Sequence, residues 1–375
     1  MTEQNAAFKH AMMREMHEQP DAIRATLERY VAGDGLNADA FGSAAECFAR
    51  HKDLVIAASG SSRHAGLAAE IMLEDAAGLS VDVEYASEYI YRSTNTKRDP
   101  AVLVVSQSGE TADTLAALRE AKRRGHPTLA VTNVASSTMM READVALPTL
   151  AGVEKAIPAT KSFTTQLVVL RLLSLLAAET RGTMTQVDAW AQIAALKRLP
   201  TQMERQLAHW SRETERLAET YSSAKTLLYL GRAIHYPIAR EGALKLKESS
   251  YIHAEGYPTG ELKHGPNALI SDEVPLVVLA TVDNADSESV QRYEKTIGLL
   301  DDMRTQGAKT LAFGNAGDET LRALATEVVE IEPADEYTLP MYEVVPLQMF
   351  AYFMAVRNGV DVDRPRNLVK SVVRE

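Results

Sequence analysis

Short apolar runs that end in small or hydroxylated residues, each followed by an amphipathic stretch, organise most of this chain. Residues 53–62, "DLVIAASGSS", read as a buried strand entering a small-residue turn, and 64–78 read as a helix. Strand-like runs recur at 81–87, 101–110, 128–133 and 145–150, with a helical pattern at 111–125. Strands alternating with helices of about 10–15 residues predict a parallel, doubly wound α/β sheet. A long helical region follows between 160 and 222. The pattern then returns, with strands at 225–233, 274–281, 309–315 and 327–333 and helices at 237–252 and 290–307. We read an internal duplication: two similar α/β lobes with parallel sheets, joined by helices. An amphipathic helical arm, broken at Pro20, precedes them, and "AGDGLN" (32–37) reads as a loop. The last segment follows a helix that should stop near Gly359; its weak periodicity predicts an ordered extension rather than a helix. The expected divisions are the arm 1–36, a first lobe with linking helices 37–200, a second lobe 201–360 and a tail 361–375.

Composition changes this picture little. With 375 residues, 46% hydrophobic and 24% charged, the chain has ordinary globular composition and ample core. Its one cysteine, Cys47, excludes a disulfide framework and reads as packing. The nine histidines are scattered, none paired at ligand spacing, so no metal and no cofactor is expected. A net charge of −11 argues against nucleic acid as a partner. It leaves room for a small anionic substrate, since local dipoles and a few lysines can hold one phosphate on an acidic protein. No continuous apolar segment follows the basic residues near the start, and no apolar run reaches the roughly 18–20 residues that would span a bilayer. A cytoplasmic protein with no membrane partner is expected.

The candidate chemistry begins where the 101–110 run breaks into Ser106-Gln107-Ser108-Gly109-Glu110-Thr111. In open α/β sheets ligands sit at the carboxyl ends of strands. A helix starting there offers N–H groups without internal partners and the positive end of its dipole. The hydroxyls of Ser106, Ser108 and Thr111 would complete a cup of donors for a phosphate, with Gly109 permitting close backbone approach. The plain alternative is a capped helix with Ser108 as the cap. No Gly-Lys-Ser/Thr ending is present, so no nucleoside triphosphate is implied. "SGSSRHAG" (59–66) repeats the idea, and two hydroxyl-rich turns on neighbouring strand ends could line one pocket.

In the second half, Glu241, Lys245 and Glu248 share one helical face. They read either as a surface salt-bridge stripe or, given Ala243, Leu244 and Leu246 around them, as a partly buried set in which a carboxylate shuttles a proton. His264 lies in "GELKHGP", a loop bracketed by glycine and proline, exposed and either bland or catalytic. Lys370, in "NLVKSVV", is either a snorkelling surface lysine or a desolvated amine that attacks a carbonyl.

"SQSGETADTL", "EGALKLKE", "GELKHGP" and "DVDRPRNLVKSV", in that order, resemble the isomerase half of glucosamine-6-phosphate synthases, which consists of two sugar isomerase (SIS) domains. The resemblance runs from about residue 12 to the end and implies two tandem doubly wound SIS lobes. It also implies site roles. Ser106, Gln107, Ser108 and Thr111 would hold the phosphate, with Ser61 and Ser62 near the sugar hydroxyls. Glu248 would move a proton between C1 and C2, supported by Lys245 and Glu241. His264 would open the sugar ring, lent by the neighbouring subunit of a homodimer. Lys370 would form a Schiff base with the open-chain ketose. Ala159 stands where the family usually has a serine, which removes one sugar-facing hydroxyl. Because the chain starts with Met1-Thr2, without the family's glutaminase nucleophile, no glutamine hydrolysis is expected. The implied reaction is that of the stand-alone SIS-type deaminases: glucosamine 6-phosphate and water to fructose 6-phosphate and ammonia. Deamination or isomerisation of another sugar phosphate, such as a fructosamine or galactosamine phosphate, remains open. So do a phosphosugar-sensing module and a non-catalytic paralogue.

Overall fold

The computed structural model describes residues 8–92 and 98–373, so residues 1–7 of the expected arm and the last two of the tail lie outside the described residues. The chain divides into two compact units. One comprises residues 19–154, 161–200 and 369–375; the other comprises 1–18, 155–160 and 201–368.

The first of these carries α2 (Gln19–Tyr30), the hairpin β1 (Val31–Ala32) and β2 (Gly35–Leu36), and α3 (Ala44–Arg50). The segment expected to be a loop is therefore a two-residue turn between short antiparallel strands. There follow β3 (Asp53–Ala58), α4 (Gly60–Ala77), β4 (Ser80–Tyr85), α5 (Ala86–Tyr89), β5 (Ala101–Ser106), α6 (Ala112–Arg123), β6 (Thr128–Thr132), α7 (Thr138–Glu142) and β7 (Val145–Pro148). The strands form one parallel sheet in the order β4-β3-β5-β6-β7. The central strands β5 and β6 are buried at every residue, which is why they read as continuous apolar runs rather than as alternation. α8 (Lys161–Arg181) packs on α4 and is buried along nearly all its length.

The other unit carries α1 (Ala11–His17), β8 (Thr226–Gly231), α10 (His235–Ser250), β9 (His253–Pro258), β10 (Leu276–Ala280), α11 (Ser287–Thr305), β11 (Thr310–Asn315), α12 (Glu319–Leu324), β12 (Glu327–Ile331) and α13 (Leu339–Arg357). Its parallel sheet runs β9-β8-β10-β11-β12. Numbered from the first strand of each sheet, both orders are 2-1-3-4-5, so the duplicated pattern is a duplicated topology. The division between the units falls at Pro200, inside the 36-residue helix α9 (Gln186–Tyr221).

β9 was not expected from the sequence. It is an edge strand with only Ala254 fully buried, and Gly256 interrupts its side-chain pattern. That glycine has a steric reason: a Cβ there would lie 2.7 Å from the Cα of Arg240, so α10 could not pack on the strand. α8 and α13 qualify as membrane spans by length and composition, contrary to the expectation that no segment would. Yet 89% of an 18-residue window in each lies buried inside the fold, as expected of helices that are apolar all round.

Candidate active site

In the first sheet, strands 1 and 3 are β3 and β5, and the order reverses between them. Ligands in doubly wound sheets bind in the crevice outside the carboxyl ends of such strands. Both hydroxyl-rich turns lie at this reversal: Ser59 follows β3, and Ser106 ends β5. The Ser106 Oγ lies 3.1 Å from the Thr111 Oγ1 and accepts from the Gly109 N–H at 3.2 Å. The Ser108 Oγ accepts from the Glu110 N–H at 3.2 Å. The N-cap of α6 is Thr111, and its side chain makes no capping bond, so Ser108 shapes the turn rather than capping the helix. Gly109 takes φ +66°, and a Cβ there would fall 2.2 Å from the Ser137 Oγ. Gly109→Ala is therefore expected to distort the turn and weaken phosphate binding by at least about tenfold. Titration calorimetry with inorganic phosphate checks this, and unchanged affinity would contradict it.

The C-terminal tail is strapped onto this turn. The Ser371 and Ser108 hydroxyls are 3.0 Å apart, and the Val372 carbonyl accepts from the Ala112 N–H at 2.9 Å. One of the helix donors counted toward a phosphate is thus spent on the tail. The strap sets Lys370 against Glu154: the Nζ donates to the Oε2 at 2.6 Å. The side chain of Glu154 is fully buried and also accepts from the backbone N–H and hydroxyl of Ser162. Lys370 is therefore an amine held by a buried carboxylate. Sequence reasoning missed Glu154; the signal was a lone acidic residue, next to Lys155, in a mostly apolar segment ahead of α8. Ser62 is buried in the first turn of α4, which begins at Gly60 rather than His64, and its Oγ accepts from the Gln166 Nε2 at 3.1 Å. Ser61 beside it is partly exposed, as is Gln107.

In the other unit, α10 brings Glu241, Lys245 and Glu248 together as their spacing predicts. The Lys245 Nζ donates to the Glu248 Oε2 at 2.5 Å and lies 3.5 Å from the Glu241 Oε1. Lys245 and Glu241 are fully buried, whereas the Glu248 side chain is 22% exposed. This excludes a solvated surface stripe. It leaves one carboxylate that solvent or a ligand can reach, fixed from behind by an ammonium. His264 is exposed at the end of a 3-10 turn, Thr259–His264, as expected for a bracketed loop. Ala159 is half-buried in the short segment 155–160, which belongs to this same unit. Burial, with Asp144 adding to it, pushes the Cys47 thiol up to about 11, which disfavours its thiolate.

Sequence reasoning missed a second cluster at the start of α10. The fully buried His235 sits between two carboxylates, with its Nδ1 2.8 Å from the Glu343 Oε1 and its Nε2 3.1 Å from the Glu336 Oε1. Arg292 makes a two-pronged bond to Glu336 at 2.8 and 2.7 Å. The Thr281 hydroxyl donates to Glu343 at 2.5 Å. Burial opposes charge on His235, but Glu343 and Glu336 overcome it and raise its pKa above 6.5. Burial likewise opposes ionisation of Glu336, yet His235 and Arg292 hold that carboxyl down at about 2.

Two parallel sheets of one topology, each with a reversal crevice, define a tandem doubly wound α/β architecture, and comparison with known proteins gives it a family. The SIS domain family matches residues 48–176 and 220–357, and the chain belongs to it. More particularly, it is homologous to the isomerase C-terminal domain of glucosamine-fructose-6-phosphate aminotransferase. That domain from Francisella tularensis is 35% identical, with a TM-score of 0.89 over 96% of this chain and 99% of that one. The glutamine–fructose-6-phosphate aminotransferase (isomerizing) of Pseudomonas putida is 42% identical over 371 residues, 98% of this chain and 59% of that protein. The chain thus spans about three-fifths of the length of the curated relatives it matches. A glucosamine-6-phosphate deaminase from Thermotoga maritima shares the fold, with a TM-score of 0.71 at 22% identity over 96% of this chain and 99% of that one.

Proposed function

We propose that this chain moves a proton between C1 and C2 of an amino-sugar phosphate and releases the nitrogen, converting glucosamine 6-phosphate and water to fructose 6-phosphate and ammonia. The observation that carries the reading is the tail strap, which sets the Lys370 amine beside the Ser106–Thr111 turn. A phosphate held at that turn would fix the far end of a six-carbon chain. His264 of a second copy would take the anomeric hydroxyl proton and protonate the ring oxygen, opening the ring. Glu248 would abstract the C2 proton and return it at C1, leaving a C2 imine. Water would add at C2 and expel ammonia. In the reverse sense, Lys370 would hand a proton to Glu154 and attack the ketose carbonyl, losing water to form the Schiff base. The homologous domain in the Francisella enzyme and the SIS match support sugar-phosphate chemistry of this class.

The deciding experiment incubates the protein with glucosamine 6-phosphate and measures ammonia and fructose 6-phosphate together. Equal amounts of both support the reading. If neither forms, while galactosamine 6-phosphate or fructosamine 6-phosphate is consumed, the substrate is wrong, and Ala159→Ser becomes the first variant to make. Incubating fructose 6-phosphate with ammonium tests the amination direction on the same site.

A homodimer with exchanged histidines has its own signature. Neither Glu248→Gln nor His264→Ala should turn over alone. Subunits of both kinds, mixed through an unfold–refold cycle, should recover about a quarter of wild-type activity, because half the dimers carry one intact site. No recovery on mixing would place His264 in its own subunit's site.

A further inference from the structure

The second sheet has its own order reversal, between β8 and β10, and the first residue beyond β8 is Arg232. Gly231 pairs with Pro258 across β8 and β9, so Arg232 and Thr259 leave the sheet side by side. A Cβ on Gly260 would lie 3.5 Å from the Arg232 Nη1, so this turn packs against the guanidinium. Arg292 approaches from α11, donating from its Nη2 to the Thr281 carbonyl just past β10 at 2.9 Å.

Three polar groups here have no partner among the described residues: the Nε of Arg232, the Nη1 of Arg292 and the hydroxyl of Thr259. Thr259 is fully buried and Arg292 is 8% exposed. Buried donors without acceptors are destabilising, so such a set is retained for a reason. Charge points the same way. His235 and Arg292 balance Glu336 and Glu343, two cations against two carboxylates. Arg232 stands outside that balance. Among the described residues no carboxylate pairs with it, and burial together with the Arg292 charge lowers its pKa. A cation near a second cation, with no acid paired to it among the described residues, is a site for an anion from solution. In the first sheet, the equivalent crevice holds the hydroxyl-rich turns.

We propose that the second sheet carries an oxyanion site of its own, in which Arg232, Arg292 and Thr259 bind a phosphate group at the β8/β10 reversal. The phosphate is either inorganic phosphate or that of a phosphosugar, and the site is separate from the one proposed for turnover.

Calorimetric titration of the intact protein with inorganic phosphate tests this, repeated with fructose 6-phosphate. The wild type should take up two equivalents of phosphate per chain. Arg232→Gln should lose one, its affinity falling at least about tenfold. Ser108→Ala/Thr111→Ala should lose the other and keep the Arg232-dependent one, and combining all three should abolish both. Arg232→Lys should bind with intermediate affinity, because it keeps the charge and loses the fork. Two equivalents of fructose 6-phosphate would assign the site to sugar phosphates; two of phosphate but one of the sugar would assign it to the free ion. An unchanged phosphate count in a folded Arg232→Gln overturns the proposal. Loss of the first equivalent alone bears on the turnover site and leaves this one standing.

Discussion

Glu248→Gln is expected to lower kcat by about 10²–10⁴-fold, the usual worth of a positioned acid–base group, while binding of fructose 6-phosphate stays nearly intact. The amide has the carboxylate's shape, and its oxygen can still accept from the Lys245 ammonium, which lies 2.5 Å from the Glu248 Oε2. Lys245 also keeps its ion pair with Glu241 at 3.5 Å, so no buried charge is left alone. What the variant loses is an acceptor for the C2 proton. Proton NMR in heavy water separates the steps: the wild type should exchange the C1 hydrogen of fructose 6-phosphate for deuterium, and the variant should not. Full exchange in the variant, or equal loss of binding and turnover, would remove Glu248 from the proton transfer.

Glu343→Gln is expected to cost about 1–3 kcal/mol of folding stability, because it removes one of the two carboxylates bonded to a buried imidazolium. In the wild type, His235 is fully buried between Glu343 and Glu336. Its folded pKa is raised above the ordinary 6.5. A raised pKa means the folded state binds the proton more tightly. The stabilisation is therefore complete below pH 6.5 and is lost as pH rises through the folded value. The opposite sign holds for Glu336, held down at about 2: its contribution is present above the ordinary 4.5 and disappears as pH falls toward 2. Urea denaturation from pH 5 to 9 reads the His235 effect. The wild type should lose stability on the alkaline side, and Glu343→Gln should start lower and slope less. Parallel curves would show that His235 is not held protonated by Glu343.

Most of the architecture was legible because it is written in runs. β3, β5, β6, β10 and β11 are buried on both faces, so each is an uninterrupted apolar segment, and parallel pairing follows from the helices between them. β9 was not legible, because an edge strand beside a helix keeps its pairing but gives up the apolar pattern, and Gly256 answers to Arg240 rather than to its neighbours in sequence. The Glu241–Lys245–Glu248 set followed from spacing, since residues three and four apart on a helix must meet. Its burial did not follow from spacing, because what covers a helix face lies elsewhere in the chain.

By itself, then, the sequence determined the local chemistry: hydroxyls and a glycine where a strand becomes a helix, charged groups on one helical face, a repeated order of elements. Those depend on neighbours within a few residues. The tertiary structure alone decided the long-range pairings. Lys370 meets Glu154, Ser371 meets Ser108, and His235 meets Glu343, each across more than a hundred residues. Such contacts leave no periodicity in the chain, because they are set by which strand ends the fold brings side by side.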